Sequence, residues 1–280
     1  MTELPLHIQK AVRRYEAIET DGVTLHPILV SEYDEWLVAR QAIDIMQQSL
    51  PVAMLSKPLL QVYYEMDVLP AVMGTEGQST GLWGCAMLAL ALSLRLGQGL
   101  ALDKRILQFA PMIDTKDPKR LKAVQTLLNG EEMIRITPIQ FQRLRPIIAA
   151  QNGVTLESED ANPELVKAER DLAELNGPKL NVNFDDKLTF VAGKLHKRKE
   201  ELYDWPIKEV EDHEAIFTRE LMFAVNAIGG AFGGFGKGGN PTPHPFYERT
   251  DTEFSGVVSL ESYANGAGAR AAQNPGKKTF

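Results

Sequence analysis

With 280 residues, the chain can form one large domain or two small ones with a substantial hydrophobic core. Its net charge of −7 argues against broad binding to nucleic acid, because neutralising phosphates requires an excess of lysine and arginine. Hydrophobic residues make up 44% and charged residues 24%, as in an ordinary globular protein, and the single cysteine, Cys85, excludes an intrachain disulfide.

Neither the N-terminal segment nor the most apolar run has the properties of a secretory or membrane segment. Residues 1–19 carry charge throughout and lack the apolar core of a signal peptide. The run from Leu82 to Leu94 has thirteen residues, fewer than the roughly 20 that cross a bilayer. We therefore expect a buried core helix here, no membrane partner and a cytoplasmic location.

Helix start and stop signals dominate the first part of the chain. Ser31 is a candidate N-cap for the helix that follows it. Pro58 begins a second helix, and Pro70 is expected to end it. The remaining pattern predicts a short amphipathic helix within residues 1–20, an extended segment at 23–30 and an apolar helix at 81–96.

A second group of helices is predicted between residues 117 and 153. Asp117 and Pro118 favour a helix that ends at Gly130. Residues 131–136 alternate in polarity, which allows a brief strand. Thr137 followed by proline is a strong N-cap signal for a helix that closes at 152–153.

The remaining chain changes character twice. A polar, acidic stretch contains a charged helix at about 163–176, and a helical region follows that is interrupted at 204–206. In its second half, one helix face carries Phe217, Leu221, Ala224, Val225 and Ile228. The predicted fold is mainly α, a multi-helix domain with few short strands and a Gly/Pro-rich mobile C-terminal tail. The predicted segments are a helical domain at 1–153, an acidic connector at 154–186, a C-terminal helical segment at 187–229 and the tail at 230–280.

The glycine-rich stretch that opens this tail matches the spacing of a dinucleotide-binding loop at Gly234, Gly236 and Gly239. Such a loop must follow a strand and open a helix, so that helix N-terminal amides meet the pyrophosphate. Here a predicted helix precedes the glycines and prolines follow them. The composition favours a linker, in which Phe232, Phe235 and Phe246 are candidate contacts for a partner.

A hydrolase motif and a basic cluster each have a plainer structural interpretation. Ser79 lies in a G-x-S-x-G pattern, but that chemistry needs a strand before the serine, and residues 70–76 contain Pro70 and Gly74. A helix cap by Ser79 or Thr80 is the favoured interpretation, and catalysis by Ser79 is the weakest alternative. The basic run at 194–199 is typical of a solvated helix face rather than a nucleic-acid site. The five histidines and Cys85 lack metal-ligand spacing, so we expect no metal, no other cofactor and no enzymatic activity.

Four segments resemble a pattern in tail-gene-cluster proteins of phages and prophages of Gram-positive bacteria. They are residues 21–37, 136–156, 161–176 and 188–223. The resemblance implies a mostly helical tail-assembly chaperone, a non-enzymatic protein of the host cytoplasm that keeps the hydrophobic tape-measure protein soluble during tube assembly. The last fifty residues depart from this pattern. A structural role in the virion or baseplate, or a frameshift-type extension, therefore stays open, as does homo-oligomerisation.

A helical chaperone offers apolar surface to partner helices. The large apolar side chains proposed for this role, each of which could equally lie in the core, are Trp36, Tyr63, Tyr64, Phe141, Trp205, Phe223, Phe232 and Phe235.

Overall fold

The chain folds mainly into helices, with a few short strands in two small antiparallel sheets, as the sequence predicts. The computed structural model describes residues 4–46, 49–74, 79–126, 134–157, 162–176 and 183–231. The first two residues of the predicted tail, 230 and 231, belong to the last helix, and the rest of the tail, with Phe232 and Phe235, lies outside the described residues. The described residues of 4–156 and 183–231 form one compact unit, and helix 163–176 belongs to another.

The first part of the chain places a hairpin between helices. The hairpin turns at Asp21 and Gly22, whose φ angles of 50° and 79° suit the tight two-residue turn between antiparallel strands. The elements are α1 (Leu6–Arg13), β1 (Ile18–Thr20), β2 (Val23–Leu25), a 3₁₀ turn (Val30–Glu32), α2 (Tyr33–Ile43), a 3₁₀ turn (Val52–Met54), α3 (Leu59–Tyr63), a π turn (Tyr64–Val68) and α4 (Leu69–Met73).

The second part contains the central helix and a three-stranded sheet of order β3-β4-β5. The helix that closes this part begins with the predicted capping box, because Thr137 Oγ1 accepts from Gln140 N at 3.2 Å and Gln140 Oε1 accepts from Thr137 N at 2.9 Å. The elements are α5 (Leu82–Ser93), α6 (Leu102–Ile106), β3 (Phe109–Ile113), β4 (Leu121–Thr126), β5 (Arg135–Ile136) and α7 (Pro138–Gln151).

The last elements are α8 (Pro163–Asn176), α9 (Phe184–Leu195), a 3₁₀ turn (Lys199–Leu202) and α10 (Ile207–Ala231). The predicted charged helix coincides with α8, and its first turn is capped by Asn162, whose Oδ1 accepts from Glu164 N at 2.9 Å. The predicted interruption at 204–206 separates α9 and its 3₁₀ turn from α10.

Helix α5 lies at the centre of the hydrophobic core. Every residue from Cys85 to Ser93 is buried, and the helix packs against α2. A helix that is apolar on all sides is stable only when it is covered on all sides. The prediction of a buried core helix is confirmed.

Three local predictions were wrong. Residues 121–126 form β4 instead of part of a helix, because β4 pairs with β3 on one side and β5 on the other. Pro70 does not end the helical segment; it lies in the first turn of α4, where a missing N–H costs little. Ser31 does not cap α2, since a 3₁₀ turn precedes that helix and Glu32 occupies the N-cap position.

Candidate functional site: an exposed face of helix α10

Helices α9 and α10 form a hairpin with its own apolar cluster. Its buried members include Leu188, Val191 and Ala192 from α9 and Val210 from α10. The rings of Phe190 and Phe217 meet edge to face with centroids 6.3 Å apart, a favoured aromatic geometry. A capping box starts α9, in which Asn183 Oδ1 accepts from Asp186 N at 2.8 Å.

Backbone hydrogen bonds fasten the hairpin to the chain just before α2. Val30 N donates to Trp205 O at 2.9 Å, and Ser31 N donates to Tyr203 O at 3.0 Å. Ile207 N donates in the other direction, to Ile28 O at 3.0 Å. These bonds hold the start of α10 in place and so determine where the rest of the helix runs.

Side chains on the first half of α10 add polar contacts. The Tyr15 hydroxyl donates to Asp212 Oδ2 at 2.9 Å, and Lys208 Nζ lies 2.6 Å from the same oxygen. Burial, followed by the hydrogen bond to Asp212, raises the pKa of Tyr15. Burial also raises the pKa of Glu211, although Lys187, Arg40 and Lys208 oppose the shift.

The second half of α10 extends past its neighbour. Helix α10 has 25 residues and α9 has 12, which correspond to about 37 Å and 18 Å at 1.5 Å per residue. The face that begins with Val210 and Phe217 continues through Leu221, Val225 and Ile228, because these spacings of seven, four, four and three keep to one side of a helix. Packing against α9 covers only the first part of this face.

The side chains on the second part are exposed. Leu221, Val225 and Ile228 are 49%, 56% and 59% accessible, and Met222 beside them is 57% accessible. Contiguous exposed apolar side chains of this kind commonly mark a contact surface for another molecule. We call Leu221, Met222, Val225 and Ile228 the α10 surface.

Four of the proposed contact residues are in the core. The prediction that these four residues contact a partner was wrong, because their side chains are at most 2% accessible: Trp36, Tyr63, Tyr64 and Phe141. The hydroxyl groups of Tyr63 and Tyr64 are satisfied inside the fold, by Ala42 O and Pro118 O, each at 2.7 Å.

The other two described candidates are half-buried. Trp205 lies just before α10 with Lys197 Nζ 4.9 Å from its ring centre, and Phe223 is on the second half of α10. The helical period of the sequence predicts that Leu221, Val225 and Ile228 share one face of α10. These side chains are exposed because α9, which covers the first part of that face, is the shorter helix. Met222 was not singled out by the sequence, because it flanks this face.

The serine of the hydrolase motif does not itself cap α5, whose N-cap residue is Gly81; it is hydrogen-bonded to Asp67, which accepts from the first turn of the helix. Ser79 Oγ donates to Asp67 Oδ1 at 3.2 Å, and the same oxygen accepts from Thr80 N at 2.5 Å. Asp67 Oδ2 accepts from Trp83 N at 2.7 Å in the first turn of α5. Asp67 therefore supplies the carboxylate that helix N-termini favour, and Ser79 is part of that arrangement. The described residues 69–73 ahead of the motif are helical.

Neither a metal site nor a membrane span is found among the described residues. In the described ranges, no three or more His, Cys, Asp or Glu side chains are grouped so that they could hold a metal ion. No helix in the described part of the chain combines the length and apolarity needed to span a membrane. Comparisons of the chain with protein-family models, curated proteins and solved structures find no match.

Proposed function

We propose that this chain is a non-enzymatic phage tail-assembly chaperone or morphogenesis factor that binds the tape-measure protein in the host cytoplasm. Two lines support this: the resemblance of residues 21–37, 136–156, 161–176 and 188–223 to tail-cluster proteins, and the α10 surface. The α10 surface carries the proposal, since a chaperone must offer apolar contacts to an apolar client.

The geometry of α10 suits a helical client. Its apolar side chains at 221, 225 and 228 follow the spacing with which one helix packs along another. The first half of the helix is held by the backbone hydrogen bond at Ile207 and by the apolar cluster around Val210. The position of the second half relative to the rest of the unit is therefore fixed. Binding would bury Leu221, Val225 and Ile228 without unfolding the hairpin.

Co-expression of the full chain with the tape-measure protein encoded in the same phage genome tests the proposal. We expect the wild-type chain to keep the tape-measure protein in the supernatant and to copurify with it. The double substitution Leu221→Asp and Val225→Asp places two charges on the α10 surface and should reduce the recovered complex about tenfold or more, because desolvating them at an apolar interface is costly.

A matched control uses another exposed apolar pair. Val72 and Met73 on α4 are 51% and 52% accessible, and Val72→Asp with Met73→Asp adds the same two charges elsewhere. This variant should copurify as the wild type does. Precipitation of the tape-measure protein despite the wild-type chain, or equal binding by both double variants, would contradict the proposal.

Mass spectrometry of purified virions separates an assembly chaperone from a virion component. A chaperone should be absent from finished particles. Stoichiometric recovery of the chain from them would instead support the structural role, with the α10 surface bound to a permanent neighbour.

A further inference from the structure

An open cleft of about 750 Å³ lies between the beginning of α2 and the beginning of α9. Val30 and Leu188, both buried, provide an apolar base. The rings of Tyr33 and Phe184 are stacked at its side, with centroids 3.6 Å apart and planes 6° apart. We call this the Tyr33 cleft; its volume falls in the range of typical ligand pockets.

The remaining lining combines apolar stems with negative charge. Leu37 and Tyr203 are 44% and 40% accessible, so both side chains present surface to a bound group. Asp34 and Asp185 also line the cleft, and the described lining contains no lysine or arginine. Asp185 is paired with Lys199. Asp34 is exposed, and within the described residues no ion pair or hydrogen bond of its side chain is found.

A first-turn aspartate such as Asp34 has an ordinary role, because it complements the dipole of α2. That role needs neither an apolar cleft nor exposed aromatic and aliphatic side chains beside the carboxylate. The combination of ring, aliphatic stem and carboxylate has a specific chemical complement. A guanidinium group stacks on aromatic rings and donates two parallel hydrogen bonds to a carboxylate, and an apolar stem connects it to the backbone.

We propose that the Tyr33 cleft binds an arginine side chain carried by a polypeptide partner. The guanidinium lies against the exposed ring of Tyr203 and donates to Asp34, while the arginine stem covers Leu37. A free amino acid fits less well, because its own carboxylate would face the carboxylate of Asp34, whose charge has no partner among the described residues. The net charge of −7 also favours approach of a basic partner. This site is separate from the α10 surface and does not rest on the proposed function.

Nuclear magnetic resonance of the isotope-labelled full chain tests this with four small probes. They are N-acetyl-arginine methylamide, the corresponding lysine and citrulline compounds, and free L-arginine. The arginine compound should shift the amide signals of residues 30–37, 184–188 and 203 in a saturable manner. The lysine compound should bind more weakly, and the neutral citrulline compound should give no saturable shift. Free arginine should bind more weakly than the blocked arginine.

Two variants and one control locate the contact. Asp34→Asn should weaken binding of the arginine compound about two- to fivefold, the range for an exposed ion pair. Tyr203→Leu should weaken it while keeping an apolar side chain. Asp103→Asn, which changes an exposed first-turn aspartate of α6, should leave binding unchanged.

Four outcomes would overturn the proposal. They are equal shifts by the citrulline and arginine compounds, unsaturable shifts at the cleft, tighter binding of free arginine, and an Asp34→Asn variant that is folded by circular dichroism and binds like the wild type.

Discussion

Gly153 follows the last residues of α7 with a φ of 72°, a conformation that costs a residue with a Cβ atom about 1–2 kcal/mol. An added Cβ atom would meet the carboxylate of Glu211 on α10, but that carboxylate ends a flexible side chain and can rotate away at little cost. We predict that Gly153→Ala lowers the free energy of unfolding by about 1–2 kcal/mol, the backbone cost alone, measured by urea denaturation.

Gly22 provides the matched control for this prediction. Its φ is 79°, but nothing lies within 4 Å of an added Cβ atom, so Gly22→Ala should cost only the backbone term. The two glycine substitutions should therefore lower the free energy of unfolding by similar amounts. A loss for Gly153→Ala that is larger by several kcal/mol would show that the Glu211 carboxylate is held rigidly against Gly153 in the folded protein.

Glu211 gives the hairpin a pH dependence whose sign follows from its pKa. Burial is the largest cause that raises this pKa, Asp212 adds to it, and Lys187, Arg40 and Lys208 oppose it. Between the ordinary pKa of glutamate and the raised value, the folded chain binds more protons than the unfolded chain. The contribution of Glu211 to stability is therefore present at low pH and is lost as the pH rises through that interval.

The substitution Glu211→Gln isolates this contribution. We predict that the free energy of unfolding of the wild type, minus that of Glu211→Gln, increases as the pH is lowered from 7 to 4.5. Urea denaturation of both proteins at each pH measures the difference, and groups that titrate identically in both proteins cancel. A difference that is constant, or that decreases toward low pH, would refute the prediction.

At the scale of an element, α10 allows two valines of one helix to be compared. Val210 is fully buried in the hairpin cluster, whereas Val225 is 56% accessible on the α10 surface. Val210→Ala should lower the free energy of unfolding by about 2 kcal/mol, because buried methyl groups are lost. Val225→Ala should change it by less than about 0.5 kcal/mol. Urea denaturation distinguishes the two, and similar losses would show that the second half of α10 is covered in the free protein.

The elements that sequence reasoning found are those whose signals are local. Thr137 and Gln140 form a capping box with each other, and the apolar run at 82–94 demands burial wherever it lies. The sequence pattern does not predict strand β4, because Asp117 and Pro118 resemble a helix start although the segment just before them, Phe109–Ile113, is the partner strand. Hydrogen bonding to β3 and β5 makes residues 121–126 a strand despite the helix-like start signal before them.

The same distinction applies to the candidate site. The period of 3.6 residues places Leu221, Val225 and Ile228 on one face, which is local information. Whether that face is covered depends on α9, which has 12 residues against the 25 of α10. The burial of Trp36 and Phe141 is likewise decided by elements that pack from elsewhere in the chain. The size and apolarity of a side chain do not by themselves predict whether it lies in the core or on the surface.

At the scale of the whole molecule, polar side chains connect segments that are far apart in sequence. Asn152 Oδ1, at the end of α7, accepts from Ile28 N at 2.9 Å. Arg145 donates from Nε to Ile43 O at 2.7 Å and from its second terminal nitrogen to Ile45 O at 2.6 Å. Because these contacts cross between segments, the unit formed by 4–156 and 183–231 is expected to unfold cooperatively.

The buried ion pair between Glu32 and Arg105 allows the stability contributed by one such contact between distant segments to be measured. Arg105 Nη1 lies 3.0 Å from Glu32 Oε1, and Arg105 Nε donates to Gly97 O at 3.1 Å. The two residues are 9% and 5% accessible. Arg105→Met leaves the charge of Glu32 buried without its partner and should lower the free energy of unfolding by about 3–5 kcal/mol.

The double variant Glu32→Gln with Arg105→Met should lose less than the sum of the two single losses, because it removes both buried charges together. Urea denaturation of the wild type, both single variants and the double variant gives the coupling energy directly. Additive losses, within about 0.5 kcal/mol, would mean that the two charges do not depend on each other in the folded state. A coupling of several times that value would show that this pair joins the segment before α2 to helix α6. The same segment makes the backbone hydrogen bonds to the α9–α10 hairpin. Breaking the ion pair should therefore also make the position of α10, and with it the α10 surface, less well fixed.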